Sequence, residues 1–171
     1  MKNSLGKRIA IIGPSNSGKS TLAEKIGKAF GIPILHLDQI AHKPGTSWER
    51  VSELDLIEAQ DQFLIKNNTW VIEGNYSVCM SQRFGHAETL IWCDPPLIGC
   101  IGRYIIRSIK SDPDRVGRLK DAKHEFSLAL IKYTIFNYPK NRSKYLELIQ
   151  MNSHLNCLHM RTFSEIKNLI F

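Results

Sequence analysis

The stretch GPSNSGKST, Gly13 to Thr21, decides how the rest of the chain is read. It fits G-x-x-x-x-G-K-[ST], and it also has the Gly, Pro, Ser and Asn content of an ordinary turn. Its flanks separate the two readings. The apolar run Ile9–Ile12 before it has strand character. Lys19–Phe30 after it carries Leu22, Ile26, Ala29 and Phe30 at helical spacing, with Gly31 and Pro33 as stop signals. A glycine-rich turn between a strand and an amphipathic helix can aim successive backbone N–H groups at an anion, and the helix adds its positive N-terminal end. Gly13, Pro14, Ser15, Asn16, Ser17, Gly18, Lys19, Ser20 and Thr21 are therefore expected to cradle the phosphates of a nucleoside triphosphate. Lys19 supplies a cation for the β- and γ-phosphates, and Ser20 a hydroxyl for Mg²⁺. A dinucleotide fingerprint, G-x-G-x-x-G, is absent.

Outward from this stretch, strand and helix patterns alternate. Strands are expected at Ile34–Leu37, Trp70–Ile72, Thr89–Cys93 and Leu155–Met160. Helices are expected at Val51–Lys66, Val78–Phe84, Leu97–Ile109, His124–Asn137, Lys144–Met151 and Ser164–Ile170, with a break at Tyr138-Pro139 and a polar, basic loop over Ser111–Asp121. Such alternation implies an α/β fold with parallel strands and right-handed crossovers.

The 171 residues, 43% of them hydrophobic, suit one domain spanning 1–171. A formal charge of +7 favours anionic partners, whether nucleotides, phosphorylated metabolites, nucleic acid or acidic membranes. Cys79, Cys93, Cys100 and Cys157 have no C-x-x-C pairing and no His at metal spacing, which reads as four reduced thiols in a cytoplasmic protein. No run is long enough to span a membrane, and the apolar run behind the basic start is too short for a secretion signal.

A GTPase would carry N-K-x-D, which is missing, and Asp114-Arg-Val-Gly117 sits in a polar loop instead of after a strand. A motor or transporter ATPase needs a longer core and a strand ending Asp-Glu. A small kinase needs less: the loop, an acid near the metal, an acceptor pocket and mobile arginines.

The chain resembles the nucleoside monophosphate kinase and shikimate kinase group of phosphate-loop proteins. More narrowly, it is similar to the adenylate-kinase-like "DNA topology modulation protein" family. The stretches that carry this are IIGPSNSGKSTLA, HLDQIAHKPGTSW, WVIEGNYS, LIWCDPP and NYPKNR, spread from Ile11 to Arg142. The resemblance implies a three-layer α/β/α P-loop NTPase fold with a five-stranded parallel sheet ordered 2-3-1-4-5. It also implies an acceptor-binding segment over about 38–84 and a short lid over about 108–123.

On this resemblance, Asp38 orients or deprotonates an acceptor hydroxyl and touches Mg²⁺ through water; the plain alternative is a capping aspartate. Trp48 covers the acceptor or packs in the core. Glu73 stands where the metal-water acid stands, with Asp94 as its competitor. Gly74 permits close approach of the acceptor, Asn75 and Tyr76 hydrogen-bond it, and Arg83 reaches the same pocket or lies on the surface. Arg103 lies over the base and Arg107 reaches the phosphates, or both are solvated helix cations. Arg115 and Arg118 look like lid arginines, or belong to an exposed basic loop. Arg161 begins the turn that passes the adenine. Asn137–Tyr145 mixes aromatic and basic residues, as a base-stacking surface or as a helix break with a solvated face. Among the six histidines only His36, on the same strand face as Asp38, merits attention.

The expected activity is transfer of the ATP γ-phosphoryl group to a small nucleoside, nucleotide or other hydroxyl acceptor, with ATP and Mg²⁺ as cofactors, by a monomer or dimer. The alternatives are a nucleic-acid-associated protein that affects DNA topology and uses ATP as a signal, and a nucleotide sensor without turnover.

Overall fold

The long apolar runs become the strands of a single sheet in the computed structural model, which describes residues 5–43, 46, 49–110 and 128–170. β1 (Arg8–Ile12), β2 (Ile34–His36), β3 (Trp70–Glu73), β4 (Thr89–Cys93) and β5 (Asn156–Met160) are all parallel, in the order β2-β3-β1-β4-β5. The connections carry α1 (Lys19–Phe30), α2 (Leu37–Ile40), α3 (Glu53–Lys66), a 3-10 turn at Ser77–Cys79 leading into α4 (Met80–His86), α5 (Leu97–Lys110) and α6 (Leu128–Met151), and α7 (Phe163–Lys167) follows β5.

β3 and β4 are buried along their whole length, which is why they read as unbroken apolar runs. Side-chain alternation divides the core into two clusters. Ala10, Ile12, Ile72, Leu90 and Trp92 pack with Leu56 of α3, Met80 and Phe84 of α4, and Tyr138 and Tyr145 of α6. Ile9, Ile11, Val71, Ile91 and Cys93 pack with Leu22, Ala23 and Ile26 of α1 and Ile166 of α7. β1 lies between β3 and β4, so the C-terminal ends of three strands meet where the chain leaves Ile12 for α1. In sheets of this kind that position is the usual ligand crevice.

Two local expectations are corrected. β2 stops at His36, and Leu37 opens the short helix α2, so Asp38 lies in the first turn of a helix and does not end a strand. The break expected at Tyr138-Pro139 does not occur: α6 runs through Pro139 without interruption. A proline inside a helix removes one backbone hydrogen bond and costs about 3 kcal/mol. Tyr138, Arg142 and Tyr145 recur at helical spacing across the proline, and all three are held by two neighbours, Trp92 and Asp94. The Trp92 indole N–H donates to the Tyr138 hydroxyl (3.0 Å), which donates to Asp94 Oδ1 (3.0 Å). Arg142 pairs with Asp94 Oδ2 at 2.7 Å, and the Tyr145 ring meets Trp92 edge-on. Burying two tyrosines, at roughly 2 kcal/mol each, is enough to offset the missing hydrogen bond. The expected segment 124–127 and the loop 111–121 lie outside the described residues.

Glu88, just before β4, fastens the entry to β1. Its Oε2 accepts from the backbone N–H of Lys7 (2.6 Å) and of Arg8 (3.0 Å), and its Oε1 from the Arg8 guanidinium (3.3 Å). The Lys7 backbone bond leads the contacts that hold the Glu88 carboxyl below the ordinary 4.5. A depressed folded pKa gives stability that is present above the unfolded value and lost as pH falls through the folded one. Glu88→Gln is therefore expected to melt below wild type at pH 7, by an amount corresponding to about 0.5–1 kcal/mol for this solvated site. The gap should narrow as pH falls below 4.5 and close only once pH has passed the depressed folded pKa. A gap that stays constant on acidification would show that the charge is irrelevant.

All four cysteines are free thiols, with Cys79, Cys93 and Cys100 buried and Cys157 exposed. No helix among the described residues is long and apolar enough to cross a membrane.

Candidate functional site at the ends of strands β1, β2 and β3

The β1–α1 loop turns by means of three residues with positive φ: Gly13 (147°), Asn16 (64°) and Gly18 (103°). Glycine is required at Gly13 on two counts. Its φ is disfavoured for other residues, and a Cβ there would fall 2.0 Å from the Cys93 carbonyl oxygen. Asn16 is the one non-glycine with positive φ among the described residues, a conformation that asparagine tolerates better than most. Gly18 is the N-cap of α1 and has no side chain with which to cap the first turn. The Lys19 ammonium, almost buried, reaches back across the loop to the Pro14 carbonyl (2.9 Å). The Ser17 hydroxyl is fully buried and has no hydrogen-bond partner.

Four consecutive residues at the end of β3 tie this loop to its surroundings. Glu73 Oε1 accepts from the Ser20 hydroxyl (2.9 Å) and meets His36 Nδ1 (2.9 Å). Gly74 donates its N–H to the Ile11 carbonyl (3.1 Å) and gives its own carbonyl to Arg83 Nη2 (3.0 Å). Asn75 clasps the Gly13 backbone on both sides of its Cα: Oδ1 accepts from the Gly13 N–H (2.9 Å), and Nδ2 donates to the Gly13 carbonyl (2.6 Å). The Tyr76 hydroxyl donates to Asp38 Oδ1 (2.8 Å). Sequence placed Gly74, Asn75 and Tyr76 against an acceptor. In the structure their contacts hold the first residue of the β1–α1 loop and the Asp38 carboxylate in one frame.

The electrostatics follow from burial. His36 Nε2 meets Glu24 Oε1 at 3.0 Å, so each ring nitrogen faces a carboxylate. Ionised carboxylates only accept, which requires a proton on both nitrogens. Burial works against the His36 imidazolium, but the hydrogen bonds to Glu73 and Glu24 outweigh it and raise its pKa. Burial likewise opposes the Glu73 carboxylate. The His36 hydrogen bond, the Lys19 charge and Ser20 outweigh it, so Glu73 is held below its ordinary value and remains charged. Glu73 Oε2 is buried and has no partner. Burial, followed by the adjacent Asp38 charge, pushes the Tyr76 phenol well above its usual range, so it stays protonated and can donate to Asp38.

The remaining candidates are distributed as follows. Arg83 is completely buried in α4, with Nε and Nη1 unpartnered, and burial brings its pKa down to about 10. It therefore supports the Gly74 carbonyl from beneath and is not a surface cation. Arg103 and Arg107 lie one turn apart on α5. The Arg103 guanidinium stacks 4.7 Å from the Phe163 ring centre and that of Arg107 lies 5.4 Å from Tyr104. The Arg161 and Thr162 N–H groups both donate to Glu165 Oε2, completing a capping box at α7. Asp94 is engaged by Tyr138, Arg142 and His159. Tyr138 and Tyr145 belong to the core, so the Asn137–Tyr145 stretch offers neither ring for stacking on bases. Trp48, Arg115 and Arg118 lie outside the described residues.

Sequence reasoning missed the Asn75–Gly13 clasp, the burial of Arg83 and the part played by Glu24. Each depends on a partner far away in the chain or on a neighbouring element, and no local pattern signals it. Compared with known proteins, the chain matches no family model and no curated sequence.

Proposed function

We propose that the protein is a P-loop phosphotransferase that moves the γ-phosphoryl group of ATP to the hydroxyl of a small acceptor. The observation that carries this reading is the convergence of Lys19, Ser20 and Glu73 at the uncapped N-terminus of α1, beneath a loop whose turns need Gly13 and Gly18. In this reading the loop amides and Lys19 bind the phosphates.

Among the described residues no three His, Cys, Asp or Glu side chains form a cage for a metal. A Mg²⁺ ion carried in by nucleotide phosphates needs only one or two protein oxygens and keeps several waters. The buried, unpartnered Glu73 Oε2 beside the Ser20 hydroxyl fits such an ion. Ser20 would hold it directly and Glu73 through water. Bound there, Mg²⁺ neutralises charge on the phosphates. Asp38 is the acceptor-side residue. Tyr76 occupies its Oδ1 and fixes the carboxylate, so the other oxygen can orient the acceptor hydroxyl and take its proton. Arg107, with Arg115 or Arg118, would balance charge on the moving group, and Arg103 and Arg161 would flank the base.

The test is ADP release from Mg-ATP across a panel of nucleosides, nucleotides and small alcohols. One acceptor class is expected to stimulate release. Asp38→Asn should cut that stimulated rate about 10³-fold while ATP affinity stays within about twofold. Stimulation that survives in Asp38→Asn would remove Asp38 from the chemistry. ATP binding with no stimulation by any acceptor would favour a sensor.

A further inference from the structure

Ser20 and Glu24 lie one turn apart on α1, and His36 and Glu73 are register partners on the adjacent strands β2 and β3. Three contacts join these four side chains across the helix–sheet boundary: Ser20 to Glu73 (2.9 Å), Glu73 to His36 (2.9 Å) and His36 to Glu24 (3.0 Å). The helix backbone closes the ring. The second oxygen of Glu73, Oε2, is buried and has no hydrogen-bond partner. Lys19, the first residue of the same helix, directly precedes Ser20, and its ammonium lies in the adjoining loop against the Pro14 carbonyl at 2.9 Å.

We infer that His36 is a positioning residue for the metal-assisted step: it holds Glu73 Oε1 toward Ser20, so that Oε2 is presented to the hydration shell of the nucleotide's Mg²⁺. This rests on the function proposed above. The physical argument concerns competition for a carboxylate. Glu73 has two oxygens, and two cations stand near it, Lys19 and His36. Without His36 the carboxylate is free to turn and pair with the Lys19 ammonium. That pairing would withdraw the carboxylate from metal-bound water and the ammonium from the phosphates. With His36 in place, Oε1 already has two donors, and the rotation would break both hydrogen bonds. Glu24, half exposed, secures the far side of the imidazole and fixes the ring plane. Groups that orient a metal's ligands in this way typically change metal affinity by about 10–100-fold.

The experiment is calorimetric binding of ATP to the full chain, in excess Mg²⁺ and separately in EDTA, for wild type, His36→Ala, His36→Gln and Glu24→Gln. The measured quantity is the Mg²⁺-dependent gain in affinity, the ratio of the two constants. In His36→Ala this gain is expected to fall about 10-fold or more, with affinity in EDTA nearly unchanged. His36→Gln, which keeps one N–H donor, should recover part of the gain. Glu24→Gln changes only a half-exposed side chain, and it should lower the gain by about 2–3-fold with an unchanged circular dichroism spectrum. If the constants with and without Mg²⁺ fall by the same factor in all variants, His36 is merely a structural prop and the inference is overturned. Unchanged constants overturn it as well. A wild type that binds ATP in neither condition would overturn the proposed function itself, and this inference with it.

Discussion

Lys19→Ala is expected to weaken Mg-ATP binding about 100-fold, equivalent to roughly 2.7 kcal/mol, and to abolish any ADP release. Lys19 is the first helical residue of α1, and its ammonium already lies inside the β1–α1 loop, against the Pro14 carbonyl at 2.9 Å. In the proposed function this cation, on a nearly buried side chain, would meet phosphate oxygens where screening is weak. Truncation also deletes the buried aliphatic stem, so a loss of affinity by itself could reflect packing. Lys19→Met separates the two effects: it keeps the stem and removes the charge. Both variants should keep the wild-type circular dichroism spectrum and lose affinity alike. If Lys19→Met binds Mg-ATP as wild type does, the charge has no part in binding and the nucleotide reading falls.

Gly13→Ala should lower stability by about 3 kcal/mol or more, a drop in Tm of roughly 6–12 °C for a chain of this size. Two costs combine. An alanine at φ 147° is strained, and its Cβ would be driven into the Cys93 carbonyl 2.0 Å away. Neither can relax cheaply. Cys93 is backbone at the end of the buried strand β4, and the Gly13 backbone is held on both sides of its Cα by the Asn75 side chain. Gly85 is the internal control: it is helical, and a Cβ there meets nothing within 4 Å, so Gly85→Ala should be neutral or stabilising by up to about 1 kcal/mol. Equal melting temperatures for the Gly13 and Gly85 variants would refute the claim that the Gly13–Cys93 approach is obligatory.

The features legible in the sequence are those written in short-range patterns. Ile9–Ile12, Trp70–Ile72 and Thr89–Cys93 are continuous apolar runs because both faces of the parallel sheet are covered, and such runs can be read without any partner. The glycine spacing in Gly13–Gly18 records a local need for positive φ, and the helical spacing of Leu22 and Ile26 records a single buried face. Glu73, at the end of its strand, could be found the same way; Asp38, bonded to Tyr76, also lies near that crevice, but in the first turn of α2.

Propensity failed where distant contacts outweighed it. Pro139 is a strong local signal for a helix end, but it is worth only about 3 kcal/mol, and the grip of Trp92 and Asp94 on Tyr138, Arg142 and Tyr145 exceeds that. Arg83 reads either as a pocket residue or as a surface cation on a short helix, and is instead completely buried with Nη2 on the Gly74 carbonyl. His36 reads only as a histidine sharing a strand face with Asp38, and becomes the link between two carboxylates when β2 is laid beside β3 against α1.

The amino-acid sequence by itself determined the alternation of strand and helix, the loop at Gly13–Thr21 and the residue types gathered at the strand ends. These depend on backbone sterics and on hydrophobic periods of two and 3.6 residues, which act over a few positions. Only the tertiary structure decided which side chains share a hydrogen bond: Asn75 with Gly13, Tyr76 with Asp38, His36 with both Glu73 and Glu24. A hydrogen bond is made or lost within a few tenths of an ångström, and distances between residues 12 to 62 positions apart are set by the packing of the whole sheet and its helices.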